Sequence, residues 1–148
     1  MSRRRIGMVG CVKSKLDHAA PARELYTSQL FRGRRASVER TCDRWFILSA
    51  LHGLVSPDEV LEPYQRALKG DKVVAKRAWA AQVLQAIDHL IGEVDDTVIE
   101  LHAGSDYLDL GLADGLIERG ADVERPTAGL SLGEQLRYYG SVDATFQR

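Results

Sequence analysis

Four short apolar runs separated by helical stretches constrain this chain more than any other feature. They are Ile6 to Val12, Arg44 to Ala50, Thr97 to His102 and Ala121 to Arg125. Each is bounded by charged or turn residues and is too short for a helix, the pattern of strands buried in a sheet; the last is the weakest of the four. Between them, apolar residues recur at helical spacing. Leu25, Leu30, Phe31 and Val38 mark a helix or bent helix pair over 21–40, with Gly33 against one unbroken helix. Val74, Ala78, Ala81, Val83, Leu84, Ile87, Leu90 and Ile91 mark a longer helix capped by Asp71 and ending near Gly92. A helical return is expected from Gly104 to Gly120, and a last helix from about Ser131 to Tyr139. Strands joined through helices pair in parallel, because a tight turn cannot connect parallel neighbours. The expected fold is therefore α/β, a three-layer sandwich around a mostly parallel sheet of about four strands, in one domain over residues 1–148.

A chain of 148 residues with 45% hydrophobic and 28% charged residues can bury a core of its own. No stretch reaches the roughly 18 apolar residues that span a bilayer. The apolar segment behind Arg3, Arg4 and Arg5 is too short for a secretory signal, so the expected location is the cytoplasm and no membrane partner is expected. Cys11 and Cys42 have no zinc-binding spacing, and cytosolic thiols stay reduced; neither disulfide, metal nor cofactor is expected.

The net charge of −1 conceals a division. Residues 1–50 carry 11 Lys/Arg against 4 Asp/Glu, whereas 51–148 carry 9 against 17. Arg32, Arg34 and Arg35, with Arg3, Arg4, Arg5 and Arg40, form either one basic face for the phosphates of DNA, RNA or a nucleotide, or a solvated surface paired with the acidic second half.

Open α/β sheets hold ligands outside the carboxyl ends of their strands, so the residues after each strand are the candidates. The first strand leads to Cys11, Lys13, Ser14 and Lys15, the second to Ser49 and His52, the third to His102, Gly104, Ser105, Asp106 and Tyr107. After the fourth come Gly129, Glu134 and Gln135, while Tyr64 of Glu62-Pro63-Tyr64 supplies a further wall. Cys11 reads either as a small core residue or as a thiol activated by the lysines. Lys15 reads either as solvated, as a phosphate ligand, or, if desolvated, as an amine nucleophile. His52 and His102 are general acid/base candidates or structural hydrogen-bonding groups. Gly104 and Gly129 let backbone approach a ligand closely. Glu134 and Gln135 can read a base edge or stand on an exposed helix face. The spacings of dinucleotide and P-loop motifs are absent.

Gly10-Cys11-Val12-Lys13-Ser14-Lys15, Pro21 to Ser28, Trp45 to Ala50 with Gly53-Leu54, Glu62-Pro63-Tyr64 and Pro126 to Gln135 together resemble a family of uncharacterised bacterial and phage domains. More distantly, Cys11-x-x-x-Lys15 is similar to the Cys-x-x-x-Lys signature of the archaeosine synthase core domain, a fold thought to be shared by the peroxide-stress protein YaaA. Gly10 stands where the synthase motif has proline, and the Pro-Tyr after its lysine is missing. The resemblance implies a YaaA-like fold that handles bases or nucleic acid, with Cys11 and Lys15 as the matched positions.

The leading expectation is a nucleobase-handling enzyme acting on nucleic acid, cleaving or exchanging an N-glycosidic bond. In that scheme Glu134 or Asp106 activates water or steadies the sugar cation, His52 or His102 protonates the leaving base, and Lys15 binds phosphate or attacks. Cys11, Lys13, Ser14, Ser49, Tyr64, Gly104, Ser105, Tyr107, Gly129 and Gln135 bind the substrate. The alternatives are a non-catalytic DNA- or RNA-binding module of stress or defence, and an enzyme of small nucleotides.

Overall fold

The structure is a computed structural model that describes residues 3–11 and 13–146, with side chains as far as residue 140. Its elements in chain order are β1 (Arg5–Gly10), β2 (Ala20–Pro21), α1 (Ala22–Leu25), α2 (Gln29–Thr41), β3 (Arg44–Ser49), β4 (Gly53–Val55), β5 (Val60–Leu61), α3 (Val73–Leu90), β6 (Val98–His102), α4 (Ser105–Leu108), α5 (Leu112–Glu118), β7 (Asp122–Glu124) and α6 (Leu132–Phe146). The central sheet has five strands in the order β4-β3-β1-β6-β7, and every pairing except β3 with β4 is parallel. All four apolar runs are strands of this sheet; Val12, the end of the first run, lies outside the described residues.

The fifth strand corrects the expected count. What reads as a loop after Ala50 folds back as β4, pairing Leu54 with Leu48 and Val55 with Ile47. Gly53 makes the turn at φ 74°, where a side chain is strained. Asp71 does not cap α3, whose N-cap is Lys72; its carboxylate instead holds Arg66 at 2.5 Å.

Alternation along β1 divides the core into two. Ile6 and Met8 join Phe46, Leu48, Ile99 and Leu101 against α3 and α5, around Val83, Ile87 and Leu116. Val9 and Ile47 face the other way, onto Leu25, Phe31 and Val38 of α1 and α2. Gly7 is needed there, because a Cβ would stand 2.6 Å from a Val38 methyl. Helices on both faces make the three layers. Gly10 is also in close approach: a Cβ on it would lie 2.7 Å from Ala103 Cβ, so the ends of β1 and β6 meet without a side chain between them.

Candidate functional site

At the carboxyl end of β1 the chain turns back, and Leu16 N–H donates to the Leu25 carbonyl at 2.8 Å while Thr27 N–H donates to that of Ser14 at 3.0 Å. This antiparallel bridge sets Lys15 opposite Tyr26. The Lys15 ammonium lies 4.5 Å from the ring centre of Tyr64 and 5.6 Å from that of Tyr26, over two aromatic faces. Its ammonium also donates to the Lys13 carbonyl at 3.2 Å. Burial lowers its pKa, and the nearby Cys11 opposes that only in part.

The tyrosines form a connected set. The hydroxyls of Tyr26 and Tyr64 are 2.5 Å apart, and Tyr64 is 2.6 Å from Ser49 Oγ, which accepts from His52 N–H at 3.0 Å. Cys11 Sγ is 3.4 Å from the Tyr107 hydroxyl, and the Tyr107 ring stands edge-on to Trp79. Burial pushes Tyr26 up to about 12 and raises Tyr64 and Tyr107 as well, so all three remain neutral donors at physiological pH.

Cys11, Lys15 and Tyr107 of this set border a cleft of about 410 Å³, in the range of small-molecule sites. Cys11, Lys13, Lys15 and Tyr107 form one wall, and Gln65, Arg66, Ala67 and Lys69 the other. The second wall is fixed from below by Leu68, which is buried in the α3-side core, and by the Arg66–Asp71 pair. Among the described residues the lining holds four cations and no carboxylate. A larger hollow of about 560 Å³ sits at the other end of the sheet, lined by Asp88, Glu93, Asp95 and Arg119, where Arg119 is already engaged by Asp88. Among the described residues no three His, Cys, Asp or Glu side chains gather to hold a metal, and no helix is long and apolar enough to cross a membrane.

Several expected residues therefore converge: Cys11, Lys13, Lys15, Ser49, Tyr64 and Tyr107, with Ser14 contributing backbone and the exposed His52 packing edge-on to Tyr64 at 5.2 Å. Others are committed elsewhere. His102 is fully buried on the α2 side, Nε2 donating to Glu100 at 3.0 Å and Nδ1 2.7 Å from the Tyr139 hydroxyl; it is structural in this structure. Glu134 does not face the cleft: it accepts from Ser131 N–H at 3.0 Å while its own N–H donates to Ser131 Oγ at 3.2 Å, a capping box that starts α6 and lowers the carboxyl pKa. Asp106 pairs with Lys76 at 2.7 Å. Gln135 accepts from Arg34 and donates to the Leu130 carbonyl. Gly104 caps α4, Ser105 begins it, and Gly129 makes a turn at φ 78° with nothing nearby.

The arginines do not form one face. Arg34 is 5% exposed beneath the cleft, bonded to the Gly10 carbonyl, and burial lowers its pKa. Arg35 is held by Glu39 and the Arg23 carbonyl, and only Arg32 of the three is exposed. Arg3 pairs with Asp122, and Arg5 with Glu100 and Glu124, so the basic start is joined to the acidic second half.

Sequence reasoning missed Tyr26, Arg66 and Lys69. None follows a parallel strand; the readable signal for the cations is the polar, basic segment Gln65 to Lys69 directly behind Glu62-Pro63-Tyr64.

Residues 6–141 match the model of a family of unknown function (DUF6884), and the chain belongs to that family. No curated protein and no solved structure gives a match.

Proposed function

We propose that this member of the DUF6884 family is a nucleobase-handling enzyme that breaks the N-glycosidic bond of a phosphate-bearing substrate, in nucleic acid or as a free nucleotide. One observation carries the reading: a partly desolvated lysine, Lys15, lies among neutral tyrosine hydroxyls in a cationic cleft with no carboxylate among its described lining residues. Among the described lining residues no carboxylate is placed to activate water, whereas the Lys15 amine can attack. The Lys15 amine attacks C1′, the C1′–N bond breaks, and the departing base takes a proton from the Tyr107 hydroxyl. The new secondary ammonium gives up a proton, which restores the Tyr107 hydroxyl; the C1′–ring-oxygen bond then opens to a lysine imine at C1′, the remaining N–H proton passing to the ring oxygen. Water adds to the imine and the C1′–lysine bond breaks, freeing the sugar and restoring the amine. Tyr107 on the cleft wall offers its ring to the base, and the cations hold phosphate. The Cys11-x-x-x-Lys15 likeness to the archaeosine synthase core and the YaaA-like reading of the fold point the same way, and a cytoplasmic enzyme is the setting we propose.

The test is incubation of the protein with normal and base-modified DNA, RNA and nucleotides, with mass spectrometry of released base and borohydride trapping of the sugar on lysine. Base release with a trapped adduct at Lys15 supports the reading. Binding without release or adduct overturns it in favour of a non-catalytic nucleic-acid-binding module.

A further inference from the structure

We infer that Arg34 is a positioning residue of the cleft: its buried guanidinium holds the strand end that carries Cys11 and sets a positive charge behind the Cys11–Tyr107 wall, where it stabilises an anion. The inference rests on the proposed reading only for which anion that is. On α2 the buried face carries Phe31, Arg34 and Val38, so an arginine stands where helical spacing calls for an apolar side chain. Taking a guanidinium out of water is costly unless a carboxylate compensates it. Among the described residues Arg34 has none: Nη1 donates to the Gly10 carbonyl and Nη2 to Gln135 Oε1, both at 3.3 Å, and Nε has no partner. Glu100, which the buried network reaches through Tyr139 and His102, already accepts from Arg5, Thr41 and His102. A neutral amide donates to a carbonyl without that penalty, so the fold does not require the charge.

The charge reaches Tyr139 on α6 and, towards the cleft, Cys11 and Tyr107. The link to the wall is short. Gly10, whose carbonyl Arg34 holds, precedes Cys11, and the Cys11 thiol stands 3.4 Å from the Tyr107 hydroxyl. In the proposed reaction the electron pair of the C1′–N bond leaves with the base, and the base takes the Tyr107 proton. A phenolate then stands on the wall until the lysine adduct returns a proton. Burial disfavours that phenolate. A fixed cation in the low-dielectric interior offsets the penalty without reorganising during the step.

The experiment compares alkylation of Cys11 by iodoacetate, an anion, and by neutral iodoacetamide in Cys42→Ser protein. Both reagents consume the same thiolate, so the ratio of their rates, taken relative to glutathione, reads the charge at the sulfur. The expected ratio falls by at least about threefold in Arg34→Met and stays near the parent value in Arg34→Lys. Under the proposed reading, kcat for base release falls about tenfold or more in Arg34→Met with KM within about twofold, and Arg34→Lys restores it. Arg34→Met should fold as well as the parent by circular dichroism and urea denaturation, since an apolar side chain replaces an uncompensated charge. An unchanged ratio in Arg34→Met overturns the inference, and the glycosidic reading then stands or falls on its lysine adduct alone. A lowered ratio with undiminished base release overturns it too, because the charge then serves no step. A lowered ratio in a protein that releases no base keeps this inference and removes the glycosidic reading. If Arg34→Met does not fold, Arg34→Gln decides: a lowered ratio supports the inference, whereas the parent ratio or a second failure to fold makes Arg34 a structural donor and overturns it.

Discussion

The Cys11 thiol stands 3.4 Å from the Tyr107 hydroxyl, and this contact ties the end of β1 to the first turn of α4 at the wall of the cleft. Neither residue is an isolated surface group: Cys11 is 9% exposed and Tyr107 packs on Trp79. The contact fixes the hydroxyl assigned as proton donor on the same wall as Lys15.

Lys15→Ala should lower base release by at least about 100-fold, the usual scale for losing a reacting group, and Lys15→Arg should not restore it. Because burial lowers the lysine pKa, the neutral amine appears at lower pH than for a free lysine at 10.5. The rate should therefore rise with pH and level off below that value. A profile still climbing through 10.5, or an active Lys15→Arg variant, would remove lysine as the nucleophile.

Burial alone would raise the Glu100 carboxyl, but hydrogen bonds from His102, Arg5 and Thr41 reverse that and hold it at about 2 against an ordinary 4.5. Since the folded value is the lower one, Glu100 stabilises the fold above about pH 4.5 and loses that contribution as pH falls towards 2. Glu100→Gln leaves Arg5 and His102 facing an amide and should cost about 3 kcal/mol at pH 7. Its urea-unfolding free energy should also vary less between pH 4.5 and 2 than that of the parent. An unchanged acid slope would assign the sensitivity to another carboxylate.

A Cβ on Gly33 would lie 2.6 Å from Tyr139 Cβ, so α2 and α6 touch backbone to side chain at this point. Gly33→Ala should destabilise the fold by about 1–3 kcal/mol through overpacking, although alanine favours a helix. Chemical denaturation of the variant measures it. Added stability would mean that the two helices separate at little cost.

Cys42 is partly buried beside Thr41 and Glu100, and burial pushes its thiol up to about 12. At pH 8 its thiolate fraction is on the order of 1,000-fold below that of a free cysteine. In a Cys11→Ser background, iodoacetamide should label the folded protein more slowly than glutathione by about that factor. Labelling at the glutathione rate would place Cys42 in an open or charge-stabilised site.

The four principal strands were legible because a strand buried on both faces must be apolar throughout, and a helical connection fixes parallel pairing. The strand β4 was not, since Gly53-Leu54-Val55 is three residues long and sits among polar turn residues. Among the candidate site residues, Cys11 and Lys15 come together at the cleft, whereas His102 lies away from it. It is the last residue of β6, and the two-residue alternation puts it on the same face as Glu100. A carboxylate in mid-strand was the signal: it demands donors, and a histidine two residues on is placed to supply one. Likewise Ser131-x-x-Glu134 reads as a helix start before it reads as chemistry. Arg66 and Lys69 join the cleft through loop packing, and the buried Tyr26 meets Tyr64 and Lys15 in the same way, which no period in the sequence records.

Gly10 has a meaning beyond packing. A side chain there collides with Ala103, whose Cβ and Cα would lie 2.7 and 3.2 Å from the new atom. A larger residue therefore cannot be introduced here alone, because the sheet closes only if room is made at position 103 first. Positions 10 and 103, far apart in the chain, are thus bound into one unit of variation, changed only as a pair.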